Sequence, residues 1–195
     1  MLLLAALIAA TLFPDARRAL FGDMRPGGLP VPSGLARVGG PFRLTAHDGR
    51  VVTDADFRGR ILIVQFGYVG CGVTCRAGLQ LIDEVMAQLG PSRAAIAPVF
   101  ITLAPDRDTP AALRAFLERD HPGIIGLTGK PAVIEAVAKS YFVNPRRLTD
   151  TDPKGRFRIE HQSLIYVMGR DGRYVGHFSF ATPPRDIIAK LKRLL

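Results

Sequence analysis

The stretch ILIVQFGYVGCGVTCR, residues 61–76, decides the fold prediction, because an apolar run leads directly into both cysteines of the chain. The run ILIVQFGY is continuous and rich in β-branched residues, which is typical of a central strand buried on both faces. Apolar residues then recur at helical spacing over residues 77–89, until a Gly-Pro pair ends the pattern. We therefore predict a buried strand that turns into a helix at Cys71 and Cys75.

Strand and helix patterns alternate outward from this stretch. Predicted strands are PFRLTAHDGRVV (residues 41–52, two strands around an Asp-Gly turn), IAPVFITLAP (96–105), IIGLTG (124–129) and the hairpin SLIYVMGRDGRYVGHFSF (163–180). Predicted helices are DTPAALRAFLERD (108–120), KPAVIEAVAKSYF (130–142) and PPRDIIAKLKRLL (183–195). This element order predicts an α/β protein with a thioredoxin-like fold, in which helices flank a central mixed sheet.

The segment from Asn144 to Glu160 is polar, basic and without periodicity. We predict a long loop here, and loops of that length are often functional. The basic residues that crowd it are Arg146, Arg147, Lys154, Arg156 and Arg158. They form either a solvated loop or a docking surface, which would speed the encounter with an acidic partner.

The whole chain is basic, with a formal net charge of +9 and a pI near 10.2. A surface of this charge attracts acidic proteins, anionic headgroups or nucleic acid. The sequence contains no zinc-finger spacing, no aromatic RNP-type strand and no basic helix with a reading face. We therefore expect no nucleic-acid partner.

The N-terminal residues are predicted to be separate from the globular part. The run MLLLAALIAATLF has the length of a signal-peptide core and is too short to span a bilayer alone. A Pro/Gly-rich stretch follows it. We predict a signal peptide or membrane-anchor segment over residues 1–22, a linker over 23–40 and one domain over 41–195. The domain is then exported, periplasmic or outward-facing, with the N-terminus either cleaved or anchoring it to the inner membrane.

The two cysteines are predicted to be reactive, because they follow a strand and open a helix. The N-terminus of a helix stabilises a thiolate, and Arg76 adds a positive neighbour, so the thiol pKa is expected below its free value of about 8.5. Their spacing predicts both sulfurs on one helix face. It allows a disulfide only at the loose end of the usual Cα range, which favours a reducible bond. The alternatives are a redox pair, two metal ligands, or two buried core residues, of which the last is disfavoured by their position.

Four segments of the chain carry a resemblance to a known family: FGYVGCGVTC, PVFITLAPDRDTPAALRAFL, IIGLTGKPAVIEAVAKSY and IEHQSLIYVMGRDGRY. From about residue 41 to the C-terminus the chain resembles the Sco/SenC family of thioredoxin-like copper proteins. The resemblance implies that Cys71, Cys75 and His161 bind copper. It implies further that the protein delivers copper to, or reduces the thiols of, the copper A site in subunit II of cytochrome c oxidase. Asp106 also matches a family position, and we expect it to shape its loop.

The chain departs from the family pattern beside both cysteines. Arg76 stands where the family usually has proline, and Gly72-Val73 stands where it often has Pro-Asp. The ligand set is intact. Soft thiolates select Cu(I), and imidazole with thiolates can also hold Cu(II), while the same set could hold zinc, which is a rival metal. The other histidines, His47, His121 and His177, lack such a context and are expected to be structural or solvated.

Three functions follow as hypotheses. The first is a metallochaperone, whose partners are subunit II of cytochrome c oxidase or a similar copper acceptor, and a thiol reductant. The second is a thiol–disulfide oxidoreductase of thioredoxin type, which needs no copper and uses Cys71 and Cys75 as its redox pair. A redox-sensing or purely structural domain would need neither bound copper nor turnover. His161 separates the first two, because metal binding needs it and exchange does not.

Overall fold

The centre of the fold is a seven-stranded mixed sheet in a computed structural model that describes residues 37–151 and 157–195. Its strands are β1 (Arg43–Ala46), β2 (Val51–Thr53), β3 (Ile61–Gly67), β4 (Ile96–Thr102), β5 (Ile125–Thr128), β8 (Leu164–Met168) and β9 (Tyr174–Ser179). They lie in the order β2-β1-β5-β4-β3-β8-β9. The strands β3, β4 and β5 run parallel, and the remaining pairs are antiparallel.

Within the described ranges, four α-helices flank the sheet: α1 (Val73–Gln88), α2 (Pro110–Asp120), α3 (Pro131–Ser140) and α4 (Pro184–Lys192). Short 3-10 helices lie at Asp54–Phe57 and Gly90–Ala95. Proline opens α2, α3 and α4, where its missing N–H leaves no hydrogen bond unmade. The mixed sheet with flanking helices confirms the predicted thioredoxin-like α/β fold.

The core lies on both faces of the sheet, and β3 shows why. All seven of its residues are buried, as predicted for a central strand. Because side chains alternate across a strand, Leu62, Val64 and Phe66 pack into the core that includes α3. Ile61 and Ile63 pack into the core beneath α1, α2 and α4. The two cysteines therefore follow the C-terminal end of a central strand that is buried on both faces.

The predicted loop over residues 144–160 is wrong. Its chain forms β6 (Arg146–Thr151) and β7 (Phe157–Glu160), an antiparallel pair that makes a second, two-stranded sheet. The residues between the two strands lie outside the described part of the chain, and so do Lys154 and Arg156 of the predicted basic surface. We refer to this pair as the β6–β7 hairpin.

The described part begins at Arg37, as one compact unit that continues to Leu195. The predicted leader over residues 1–22 and most of the predicted linker therefore lie outside the described residues. Within the described ranges, no helix combines the length and the apolar character needed to cross a membrane.

Candidate metal centre

The cysteine loop begins where β3 ends. Cys71 donates its backbone N–H to the carbonyl of Tyr68 over 2.9 Å, which closes a tight turn. Gly70 lies in this turn with φ of 90°, a conformation that glycine adopts at little cost. Gly72 is the residue before α1, so Cys71 precedes the helix while Cys75 is its third residue. The prediction that both sulfurs share one helix face is therefore wrong.

The two cysteines form a disulfide, with their Cα atoms 5.9 Å apart. This separation falls in the commonest range for disulfides, so the predicted position at the loose end is wrong. The turn before α1 brings Cys71 back toward the helix start. The two residues differ in exposure, since Cys75 is 2% exposed and Cys71 is half-buried.

Gly67 and Gln65 of β3 hold Cys75 in place. A Cβ added at Gly67 would lie 2.7 Å from the Phe100 ring and 3.2 Å from the Cys75 sulfur, so glycine permits this close packing. The buried Gln65 amide donates a hydrogen bond to the Cys75 carbonyl over 3.0 Å. Cys75 is thus held by the sheet, while Cys71 lies toward the surface.

His161 lies opposite the two sulfurs, one residue after β7. Its Nε2 atom is 3.5 Å from the Cys75 sulfur and 3.8 Å from the Cys71 sulfur. Its Nδ1 atom lies 3.0 Å from the Gln162 carbonyl, which can only accept, so Nδ1 carries the proton and Nε2 presents a lone pair. Burial lowers the pKa of the His161 imidazole below its usual value, although the hydrogen bond to Gln162 acts in the opposite direction. Burial is the larger effect, so the imidazole is neutral at neutral pH, with Nε2 as its ligand atom.

The structure thus brings together the three residues that the sequence singled out. The ligand atoms of Cys71, Cys75 and His161 lie within 4.8 Å of one another. Among the described residues, this is the one group of three or more cysteine, histidine or carboxylate side chains close enough to share an ion. Once the disulfide is reduced, two thiolates and one imidazole suit Cu(I), and they also suit zinc.

Three consecutive residues after β4 attach the surrounding loops to each other. The buried Asp108 carboxylate accepts hydrogen bonds from the Val69 N–H at 2.9 Å and from the Thr102 hydroxyl at 2.5 Å. Asp106 pairs with Arg147 of β6 over 2.7 Å, which fits its expected role in loop architecture. Arg107 lies between them. The sequence did not single out Arg107 or Asp108, although both belong to PVFITLAPDRDTPAALRAFL, one of the segments that carry the family resemblance.

A model of the family described as SCO1/SenC matches residues 31–195. The chain belongs to the SCO1/SenC family. An SCO2-like protein of Rickettsia felis is 31% identical over 156 residues, covering 80% of this chain and 76% of the relative. The mitochondrial SCO2 homolog of Bos taurus is 34% identical over 159 residues, which cover 79% of this chain and 58% of the relative. The structure of Bradyrhizobium japonicum ScoI with copper bound superposes with a TM-score of 0.75 at 38% identity, covering 81% of this chain and 99% of that one.

The other histidines of this SCO1/SenC protein lie apart from the cysteines. His47 accepts a hydrogen bond from the Gly126 N–H over 2.8 Å, and the buried His121 pairs with Asp83. His177 is exposed and contacts the Tyr174 hydroxyl. These contacts fit the expectation that all three are structural or solvated.

The arginine that replaces the usual family proline is exposed on α1. Arg119 lowers the pKa of the Asp120 carboxylate at the end of α2, and the charge of Arg76 adds to this effect. Arg119 makes the larger contribution through its hydrogen bond. Among the described residues, no hydrogen bond joins Arg76 to either sulfur, and its expected effect on the thiol pKa stays a prediction.

Proposed function

We propose that this protein is a copper chaperone that delivers copper to, or reduces the thiols of, the copper A site in subunit II of cytochrome c oxidase. Copper is the cargo, and Cys71, Cys75 and His161 are its proposed ligands. The observation that carries the proposal is the convergence of these three ligand atoms within 4.8 Å. Membership of the SCO1/SenC family and the likeness to a Bradyrhizobium protein solved with copper support the choice of metal.

The donor set explains how copper can be both held and released. Thiolates are soft ligands that favour Cu(I), and a neutral imidazole completes a three-coordinate site. Cys71 and His161 are only partly buried, so an incoming thiolate can reach the site from solvent. Transfer then proceeds by ligand exchange, in which acceptor thiolates replace the three donors in turn. Zinc could occupy the same set and is the rival metal.

The disulfide couples copper loading to reduction. Both sulfurs are bonded to each other in the oxidised protein, and neither then supplies a thiolate. A dithiol reductant must first transfer two electrons and two protons to the pair, and it becomes a disulfide itself. Copper binding then displaces the thiol protons. The proposed cycle therefore requires a thiol reductant as well as a copper acceptor.

The second candidate function, thiol–disulfide exchange without copper, is favoured by the same disulfide. The difference in exposure assigns the roles. The half-buried Cys71 would attack a partner disulfide as thiolate, form a mixed disulfide and release one partner thiol. The buried Cys75 would then attack the Cys71 sulfur, re-form the internal disulfide and release the second partner thiol.

The experiment that tests the chaperone proposal is Cu(I) competition with a chromophoric chelator on the reduced protein. Cys71→Ser and Cys75→Ser should each abolish tight binding, because each removes a thiolate. His161→Ala should weaken Cu(I) binding by at least about tenfold and disturb Cu(II) binding more. His177→Ala, an exposed histidine outside the site, is the matched control. Equal affinity in the wild type and in the double cysteine variant would contradict the proposal, while exchange activity that survives His161→Ala would favour the second function.

We also propose that the protein is exported, with residues 1–22 as a signal or anchor segment, 23–40 as a linker and 41–195 as the domain. The apolar run at residues 1–13 supports this, and disulfides persist outside the cytoplasm. Alkaline phosphatase, fused after residue 40 in a bacterial host, should be active. The same fusion without residues 1–22 is the control and should be inactive. Activity in neither fusion would contradict export.

A further inference from the structure

A stack of arginines and aromatic rings lies beside the cysteine loop. The guanidinium carbon of Arg107 is 4.9 Å from the centre of the Tyr68 ring and 4.5 Å from the centre of the Phe157 ring. The guanidinium carbon of Arg147 is 4.1 Å from the same Phe157 ring. Cations at these distances are attracted by the ring faces. We refer to Tyr68, Arg107, Phe157 and Arg147 as the guanidinium–ring stack.

Hydrogen bonds tie the same groups to the backbone of the β6–β7 hairpin. Arg107 donates from Nη1 to the Phe157 carbonyl over 3.0 Å. The Ile159 N–H donates to the Tyr68 hydroxyl over 3.3 Å. The ion pair between Arg147 and Asp106 completes the attachment. Together these contacts hold β7 at a fixed position relative to Tyr68 and to the loop that follows β4.

The two ends of this attachment carry the two halves of the metal centre. Tyr68 closes the turn that begins the cysteine loop, and its ring centre is 6.4 Å from that of His161. Phe157 and Ile159 belong to β7, which ends one residue before His161. Arg107 contacts both Tyr68 and Phe157, so it links the position of the histidine to the position of the sulfurs, together with the bond between Ile159 and Tyr68.

The environment of Arg107 favours a positioning role over simple packing. Its Nε atom is buried and has no hydrogen-bond partner among the described residues, which is a cost that an apolar side chain would avoid. A planar guanidinium with directed donors can stack on two rings and bond a carbonyl at once, and lysine cannot. The planar shape and directed donors of the guanidinium therefore matter at this position, and not the volume of the side chain alone.

We propose that Arg107 is a positioning residue for His161. By clamping β7 to Tyr68, it sets the separation between Nε2 of His161 and the two cysteine sulfurs. The effect of Arg107 on copper binding rests on the proposed function. A displaced imidazole would leave copper with two thiolates only. Arg107 itself lies outside the ligand set.

The first test compares Arg107→Lys with Arg107→Gln in the Cu(I) competition assay on the reduced full-length protein. Both variants should lose about 10- to 100-fold in affinity, as is typical when a partner that orients a ligand is removed. The electron paramagnetic resonance spectrum of the Cu(II) form should lose nitrogen coupling in both. Arg60→Gln, which removes a cation 5.7 Å from the Phe57 ring, is the matched control and should bind as the wild type does. Loss in Arg107→Gln but not in Arg107→Lys would show a charge effect and overturn the proposal.

The second test needs no metal and therefore separates this inference from the proposed function. In the oxidised protein, Arg107→Gln and Arg107→Lys should both accelerate modification of His161 by diethyl pyrocarbonate and hydrogen exchange at the Ile159 amide. Tyr68→Phe, which keeps the ring and removes the acceptor for Ile159, should accelerate exchange at the Ile159 amide directly but should change the modification of His161 less. Unchanged rates in both Arg107 variants would overturn the proposal, whether or not the wild type binds copper.

Discussion

The two cysteines of this SCO1/SenC protein occupy different environments. Cys71 lies in the turn before α1 and is half-buried, whereas Cys75 belongs to the first turn of α1 and is 2% exposed. Thiol reactivity requires both thiolate character and access to the reagent. Both residues lie near the N-terminus of α1, which stabilises a thiolate, so their reactivities differ through access to solvent. Cys71 is therefore the thiolate that an external partner meets first.

This asymmetry predicts the order of alkylation in the reduced protein. Iodoacetamide near neutral pH should modify Cys71 at least about tenfold faster than Cys75, because Cys75 is shielded by the sheet and by α1. Mass spectrometry of the quenched, digested protein measures both rates in one sample. Cys71→Ser and Cys75→Ser give the rate of each remaining thiol without a neighbouring thiol. Equal rates in the reduced wild type would contradict the assignment of Cys71 as the attacking thiolate.

At the scale of the elements, β3 and β4 meet α1 at a point where no side chain fits. Gly67 ends β3, and a Cβ there would lie 2.7 Å from the fully buried Phe100 ring of β4. The Cys75 sulfur of α1 would be 3.2 Å away. Neither neighbour can retreat without disturbing a packed core, since interiors are close-packed.

Gly67→Ala should therefore destabilise the domain by about 1–3 kcal/mol, the usual cost of overpacking. Gly123→Ala is the matched control, because the space around Gly123 is open, and it should change stability by less than about 0.5 kcal/mol. Urea denaturation of the oxidised proteins measures both values. A neutral Gly67→Ala would mean that Phe100 and Cys75 can shift, and would contradict the close packing described here.

The elements also show what the sequence could and could not predict. The strands β3 and β4 and the helix α1 were predicted because their own residues carry the pattern, as continuous apolar runs or helical spacing. The β6–β7 hairpin was missed because most of its described side chains are exposed or half-buried. Its strand β7 is bonded instead to Arg107 and Tyr68, which are distant in sequence.

The candidate site was also only partly predictable from the sequence. Cys71 and Cys75 were placed by local pattern, although the start of α1 was placed too early and both sulfurs were assigned to one helix face. His161 was singled out mainly by family resemblance. Its position opposite the sulfurs depends on how the hairpin docks, and no periodicity in the sequence encodes that contact.

At the scale of the whole molecule, a cluster of aromatic rings joins the sheet to α3. The Tyr141 ring centre is 5.3 Å from that of Phe66 and 5.3 Å from that of Tyr166. Burial raises the pKa of Tyr166 to about 12. Burial also raises the pKa of Tyr141, well above its usual value. Both phenols therefore stay protonated in the folded protein when they would ionise in the unfolded chain.

This difference predicts a loss of stability at alkaline pH. Above about pH 10 the unfolded chain releases phenol protons that the folded protein retains, so the free energy of unfolding falls as pH rises. Each tyrosine should contribute a slope of about 1.4 kcal/mol per pH unit between the unfolded and folded pKa values. Denaturation between pH 8 and 11 measures the slope. The double variant Tyr141→Phe with Tyr166→Phe should flatten it, and an unchanged slope in that variant would contradict the prediction.

The separation of the site residues along the chain has a consequence for biogenesis. His161 follows Cys71 by 90 positions, and the two meet only after the hairpin has docked on Tyr68. With Cys71, Cys75 and His161 as the proposed ligands, a chain that has not yet folded this far would offer copper its two cysteines but not the histidine. Tight loading would then require the docked hairpin, and bound copper would stabilise the native state by mass action. Retention of the metal would thus report that the β6–β7 hairpin has reached its place.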